Sequence, residues 1–334
     1  MIPTLPADRN HTVNPIDPTL VQTPPPEAHR SDTEVIAKPP SRRSHVRFTV
    51  GALLITVGFA LPLWSLFRLA LKSEIHSHIL LIPFIFIYLW RTSAPSLPVA
   101  RSPKSSPLAP AVAGFLGLIA IAAYWFLGTT GRIAPSDALS LSTTAFLLFL
   151  LTLALATLGW PALRPRLFAL CFTLFFIPLP EIAINALSIG LQKASADAAD
   201  VMISLTGMPY LRDGLIFQFS TLAVRVAEEC SGVRSTFVLF ITSLLAGHLF
   251  LRSGWKKALL AFAIFPIGIL RNGFRVTTIS WLTVNVDSGI IDGPLHHHGG
   301  PVFFLLSLLP LFALLWLLRR SDWPGKTTLN RNIT

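Results

Sequence analysis

Residues Lys257–Leu282 read "KALLAFAIFPIGILRNGFRVTTISWL". A helix needs about 20 mostly apolar residues to cross a bilayer, and this run is long enough. Yet its second half carries Arg271, Asn272 and Arg275. A charge at the centre of a spanning helix costs about 2.5–3.5 kcal/mol on the insertion scale, so it usually faces a polar cavity or a partner. Arg271 and Arg275 are four residues apart and share one helical face, with Asn272 beside them. Snorkelling to headgroups, or structural pairing with Glu228, Glu229 or Asp292, requires no function. Lining a site is the alternative.

The whole chain reads the same way. Of its 334 residues, 52% are hydrophobic and 13% charged, and the mean hydropathy is +0.62. Soluble domains carry about 25% charged residues, twice this share. The pattern predicts an all-α polytopic membrane protein of about eight transmembrane helices. The expected spans are 48–68, 75–90, 110–131, 138–158, 167–184, 232–251, 257–283 and 301–318. Pro178 and Pro180 are expected to end or kink the fifth. Residues 1–47, with "TPPPE" and "KPPSRRS", form a polar, proline-rich tail expected to be disordered. That leaves a membrane domain over 48–320 and a short tail over 321–334. The start of the chain lacks the pattern of a cleavable signal peptide, so the first span is expected to stay as an anchor.

With the N-terminus inside, about two thirds of the 27 lysines and arginines fall on inward-facing segments. Both termini are therefore expected in the cytoplasm, with residues 185–231 and 284–300 on the outer side. Within the first of these, "NALSIGLQKASADAADVMISLTG" spaces its apolar residues as an interfacial amphipathic helix does. "GLIFQFSTLAVRVAEE" then alternates as a small β-hairpin would. The net charge of +11 suits cytoplasmic loops, and no basic-aromatic motif points to nucleic acid.

Two cysteines make no disulfide framework. Cys171 lies within an apolar run and is expected to be a small buried hydrophobe. Cys230 stands in "AEECSGVRST" at the outer edge of span six, ahead of Ser231, Gly232 and Arg234. A helix N-terminus stabilises a thiolate, and Arg234 one turn on adds positive charge. Glu228 and Glu229 oppose this unless they turn away or pair with an arginine. On the same expected face, His296, His297 and His298 precede Gly299 and Gly300 at the start of span eight. A solvated loop, a metal site and an acid/base group are all readings of the triplet, and no Cys/His spacing supports the metal. Cysteine, arginine and histidine on one membrane face make a workable acyl-transfer site.

These residues resemble the exosortase/archaeosortase family of membrane cysteine transpeptidases. "CSGVRS" at Cys230–Ser235 is similar to the family's cysteine motif, and Asn272–Arg275 to its Asn-x-x-Arg motif. His296 with Gly300 and Phe304 is similar to its histidine element. "HSHILLIPFIFIYLWR" and "FFIPLP" extend the likeness to most of the chain after residue 48. The resemblance implies Cys230 as nucleophile, Arg275 as catalytic arginine and His296 as catalytic histidine. His297 or His298 takes that role if the register shifts. Arg271 is then expected to be structural or headgroup-facing. The resemblance further implies exported protein substrates bearing a C-terminal sorting signal of the PEP-CTERM type, with an amine, a glycan or water as acceptor. No cofactor is implied. A transporter, a polyprenyl-linked glycan transferase or an assembly subunit for polysaccharide export also accounts for the intramembrane arginines, but gives Cys230 no role.

Overall fold

The computed structural model describes residues 41–93, 107–128, 130–220, 223–226, 232–287, 289 and 300–321. Twelve α-helices are formed among them: α1 Arg42–Gly58, α2 Ala60–Lys72, α3 Ile82–Thr92, α4 Leu108–Ala123, α5 Pro135–Thr157, α6 Trp160–Leu163, α7 Leu167–Phe172, α8 Glu181–Ser204, α9 Val233–Phe250, α10 Gly254–Phe262, α11 Ile264–Asn285 and α12 Gly300–Arg320. Five helical runs are long and apolar enough to cross a membrane, and up to seven if two bent pairs each count as one span. Large apolar side chains such as Leu61, Phe84 and Leu309 point outward, as they do when the surrounding solvent is lipid. The protein is a helical multi-pass membrane protein.

The count differs from the expected eight, for local reasons. The run 48–68 is broken at Phe59, where φ −98° and ψ 14° leave the helical region, and α1 and α2 meet at a 71° bend. Pro62 in the first turn of α2 has no N–H to give to residue 58. The stretch 75–90 becomes a turn followed by α3, whose 11 residues extend about 16 Å, roughly half the hydrocarbon core. In the fifth run, α7 passes through a 3₁₀ turn into an extended segment containing Pro178 and Pro180. Beyond it, α8 runs at 91° to the helical stretch Trp160–Phe176. Helix also begins at Arg42, capped by the Ser41 hydroxyl, six residues before the expected start of the membrane domain. Residues 1–40 and 322–334, expected as tails, lie outside the described residues.

Between α8 and α9 the chain forms a three-stranded antiparallel sheet, β1 Tyr210–Asp213, β2 Ile216–Phe219 and β3 Ala223–Arg225, where a hairpin was expected. Asp213 pairs with Ile216, so the β1–β2 turn is Gly214-Leu215, and Gly214 adopts φ +58° there. Period-two alternation buries Phe217, Phe219, Val224 and Val226. These pack on Ala196, Ala199 and Ile203 of α8 and on Val276 of α11. Arg212 clamps the sheet to α8 through Asp197 (2.5 Å) and Asp200 (3.1 Å). The Tyr210 hydroxyl donates to the Asp200 carboxylate at 2.7 Å, and this bond raises the phenol's pKa above its ordinary value.

The sheet marks one end of the bundle and basic residues mark the other. There Lys256 donates to the Ser321 hydroxyl at 2.8 Å, Arg319 lies over the Phe250 ring and Arg166 over Trp90. A packed core of Leu239, Leu260, Ile264 and Leu311 joins α9 to α12.

The α8–α11 seam depends on Gly273. A Cβ there would lie 2.9 Å from Ala198 Cβ and 3.1 Å from the backbone of Ala198 and Ala199, which cannot give way as a side chain can. Gly190 on α8 meets nothing within 4 Å. Gly273→Ala is expected to destabilise the protein by about 1–3 kcal/mol. Gly190→Ala should be neutral or stabilising by up to about 1 kcal/mol. Thermal unfolding of the two variants in detergent checks the contrast.

Candidate functional site

The described parts of the sequence motifs fall at the sheet end. Cys230, Ser231, Glu228, Glu229 and the histidines 296–298 lie outside the described residues; Gly232, Arg234, Asn272, Arg275 and Gly300 lie within them. Gly232 is the N-cap of α9 and adopts φ +69°, a left-handed conformation that costs most residues energy but not glycine. Gly300 is the first residue of α12.

The charged face of α11 is directed at the starts of both neighbouring helices. Gly268, Arg271, Asn272 and Arg275 fall at i, i+3, i+4 and i+7, one stripe of a 3.6-residue helix. At the bottom of the stripe, a Cβ on Gly268 would come within 2.7 Å of Thr236 Oγ1, so the Thr236 side chain of α9 rests directly on the α11 backbone there. One turn higher, Arg271 Nη2 occupies the space a Cβ on Gly232 would need. Of the two places expected for Arg271, structural or headgroup-facing, it takes the inward one, turned onto the residue after Ser231. One turn higher again, the Arg275 guanidinium lies 6.0 Å from the ring centroid of Phe303, in the first turn of α12. The aromatic face accommodates a cation at this range. Asn272, between the two arginines, is 2% exposed. Its Nδ2 has no hydrogen-bond partner among the described residues. An unsatisfied buried donor costs about 1–3 kcal/mol, which a purely structural position does not usually tolerate.

A third element borders the cysteine motif, and sequence reasoning missed it. The turn 73–81, read there as the opening of a span, brings Glu74 to Arg234 at 2.5 Å. His78 donates Nδ1–H to the Ile75 carbonyl at 2.9 Å and meets the Phe237 ring edge-on at 4.9 Å. His76 shares a 2.9 Å hydrogen bond between Nδ1 and the Ser73 hydroxyl. Both histidines are more than nine-tenths buried. Glu74, His76 and His78 carried the same signal that singled out Cys230, polar residues at the edge of an apolar run. Cys171 also departs from expectation: it is exposed, while Ala169 and Phe172 of the same helix α7 take the buried positions.

The Glu74–Arg234 pair is more than half exposed on both sides, so solvent screens it. A double-mutant cycle with Glu74→Gln and Arg234→Met, read by thermal unfolding, is expected to give a coupling of about 0.2–1 kcal/mol. A coupling several times larger means the pair is buried in the membrane-embedded protein.

Comparison with known proteins gives one match. No curated protein and no solved structure matches the chain. The model of the transmembrane exosortase family matches residues 64–313, from α2 into α12, and so spans every element that borders the site. The match covers well over half of the chain, with the three motifs in order inside it, and the protein belongs to the transmembrane exosortase family, a membrane family linked to protein sorting.

Proposed function

We propose that this protein is a cysteine transpeptidase or endopeptidase that cleaves C-terminal sorting signals, of the PEP-CTERM type, from exported proteins. The observation that carries the reading is the aim of α11: one arginine reaches the helix start that follows Cys230, and the next reaches the helix start that follows His296. The basic end of the bundle is then cytoplasmic, in a bacterial inner membrane, and both termini lie on that side with the short α3 making an eighth crossing beside the seven longer runs. The sheet end faces outward, and an exported substrate anchored by its own apolar segment presents its motif there.

The Cys230 thiolate attacks the scissile carbonyl carbon, forming an S–C bond and pushing the C=O electron pair onto oxygen. Arg275 stabilises that oxyanion. As the oxyanion collapses, the C–N bond breaks and the imidazolium of His296 gives its proton to the leaving amine, leaving a thioester. An incoming amine or water loses a proton to the now neutral His296 as it attacks. Collapse of the second tetrahedral adduct releases product and restores the thiolate. Asn272 and Gly232 keep α11 and the cysteine loop in register, Ser231 and Arg234 flank the nucleophile, and Gly300 lets α12 begin directly after the histidine segment. The chemistry calls for no cofactor.

The test is an immunoblot of a tagged, co-expressed substrate with a C-terminal sorting signal. Cys230→Ala should abolish processing, and Arg275→Met and His296→Ala should lower it at least 100-fold. Cys171→Ser should leave it unchanged. Normal processing by a stably inserted Cys230→Ala protein sinks the reading, and equal losses from both cysteine variants assign the effect to folding. Mass spectrometry of the mature C-terminus distinguishes hydrolysis from transfer to an acceptor.

A further inference from the structure

The two ends of the bundle hold their cations differently. At the sheet end carboxylates meet them: Arg212 lies between Asp197 and Asp200, and Arg234 pairs with Glu74. At the other end the cations lie over aromatic rings. Arg166 is 4.7 Å from the ring centroid of Trp90, Lys256 5.7 Å from Trp255, Arg319 5.8 Å from Phe250 and Arg320 4.5 Å from Trp316. A ring is neutral, so it fixes a cation in place without cancelling its charge.

Packing joins these groups into one strip. Arg166 donates Nε–H to the Trp90 carbonyl at 3.4 Å, tying the end of α3 to the turn before α7. Two residues on, Phe168 stacks on His248 of α9 with ring centroids 3.7 Å apart. The next contact is at Gly247, where a Cβ would lie 3.5 Å from Lys257 Cα. Lys256 then reaches Ser321 at 2.8 Å, and Leu251 packs with Leu318, so the end of α12 abuts the turn 251–253 between α9 and α10. Arg252 and Arg319 are exposed, as are Trp255 at 63% and Trp316 at 55%. Tryptophan rings favour the headgroup depth of a bilayer, which places the strip at that level. It holds Arg166, Arg252, Lys256, Lys257, Arg319 and Arg320. No carboxylate occurs in 159–168, 248–257 or 316–321, and Asp322, the next residue, offers a single negative charge to all of these cations.

We propose that this strip binds the headgroups of anionic phospholipids in the adjoining leaflet, with Arg252, Lys257 and Arg319 meeting the phosphate around the α9–α10 turn and the end of α12. The charges are complementary, and lipid phosphate is the anion that a bilayer supplies at this depth. The helices below the cations suit the rest of the molecule. Trp255, Leu259 and Phe262 form an exposed stripe down α10, and Leu309, Phe312 and Trp316 another on α12. Each leads from the basic strip into the membrane, as an acyl chain attached to a bound headgroup does. A free phosphate has no use for those stripes. The inference does not depend on the cysteine chemistry.

The test uses the full-length protein in neutral detergent micelles doped with phosphatidylglycerol or, at the same concentration, phosphatidylcholine. Native mass spectrometry measures retained lipid, and thermal unfolding measures stability. Phosphatidylglycerol should be retained in preference and should raise the Tm above its value in phosphatidylcholine. Arg252→Gln, Lys257→Gln and Arg319→Gln should each lower the affinity for phosphatidylglycerol about fivefold. The triple variant should bind the two lipids alike. Arg132→Gln, in the α4–α5 connection at the other end of the bundle, should keep the full preference. Equal retention of both lipids by the unaltered protein overturns the proposal, as does full preference in the folded single variants. An equal loss from Arg132→Gln also overturns it, because that marks an effect of net charge rather than of the strip. So does inorganic phosphate matching the stabilisation at the same concentration, which marks a site for a free anion. Should the triple variant unfold, Arg252→Gln and Arg319→Gln, both at exposed positions, carry the test singly.

Discussion

Two guanidinium groups four residues apart in one membrane-spanning helix set the terms for everything packed around them. Lipid offers them neither water nor counterions, so protein must provide both space and compensating charge. Helix α11 meets this by standing at the centre of its half of the bundle. Glycine at 268 lets the Thr236 side chain of α9 rest on the α11 backbone, and glycine at 273 lets the α8 backbone come close on another face. The arginine stripe between those two seams is thereby enclosed by α9 on one side and α12 on the other. The three-stranded sheet, resting its phenylalanines and valines on α8 and Val276, packs against the outer turns of the same helix. Small residues at seams and cations between them are two parts of one solution.

That arrangement gives the molecule two unlike ends. At one, lysines and arginines lie over aromatic rings and helix termini, a common way for long basic side chains to sit at a membrane surface. At the other, Arg271 and Arg275 turn toward the starts of α9 and α12, while the Glu74–Arg234 pair stays exposed beside them. Asn272, buried with its Nδ2 unsatisfied among the described residues, is the sort of local cost that functional regions carry and stable cores avoid.

Much of this was legible residue by residue. The low charged fraction and the repeated apolar runs identified a polytopic helical protein, and alternation in "GLIFQFSTLAV" identified strands, although β1 was missed because "YLRD" is too short and polar to show a period. The spacing of Arg271 and Arg275 placed both on one face before any coordinates. Misreadings came where hydropathy averages over a break. A window across 48–68 is uniformly apolar, so it hides the effect of Pro62 on Phe59. A window across 75–90 merges a turn that packs against α9 with a helix of 11 residues. Glu74 was passed over because it lies just ahead of that run, and His76 and His78 counted only within the stretch likened to the family, with no role of their own.

The sequence by itself determined the class of fold, the membrane environment, the order of the cysteine, arginine and histidine motifs, and the helical face that the arginines share. These follow from composition and from the 3.6-residue period, which are properties of short stretches. Only the tertiary structure decided that Arg271 turns onto Gly232, that Arg275 turns to Phe303, and that Glu74 reaches Arg234 across 160 residues. Which neighbour a buried side chain meets depends on how closely two helices approach. That distance is set by the small residues on both helices together, and neither helix specifies it alone.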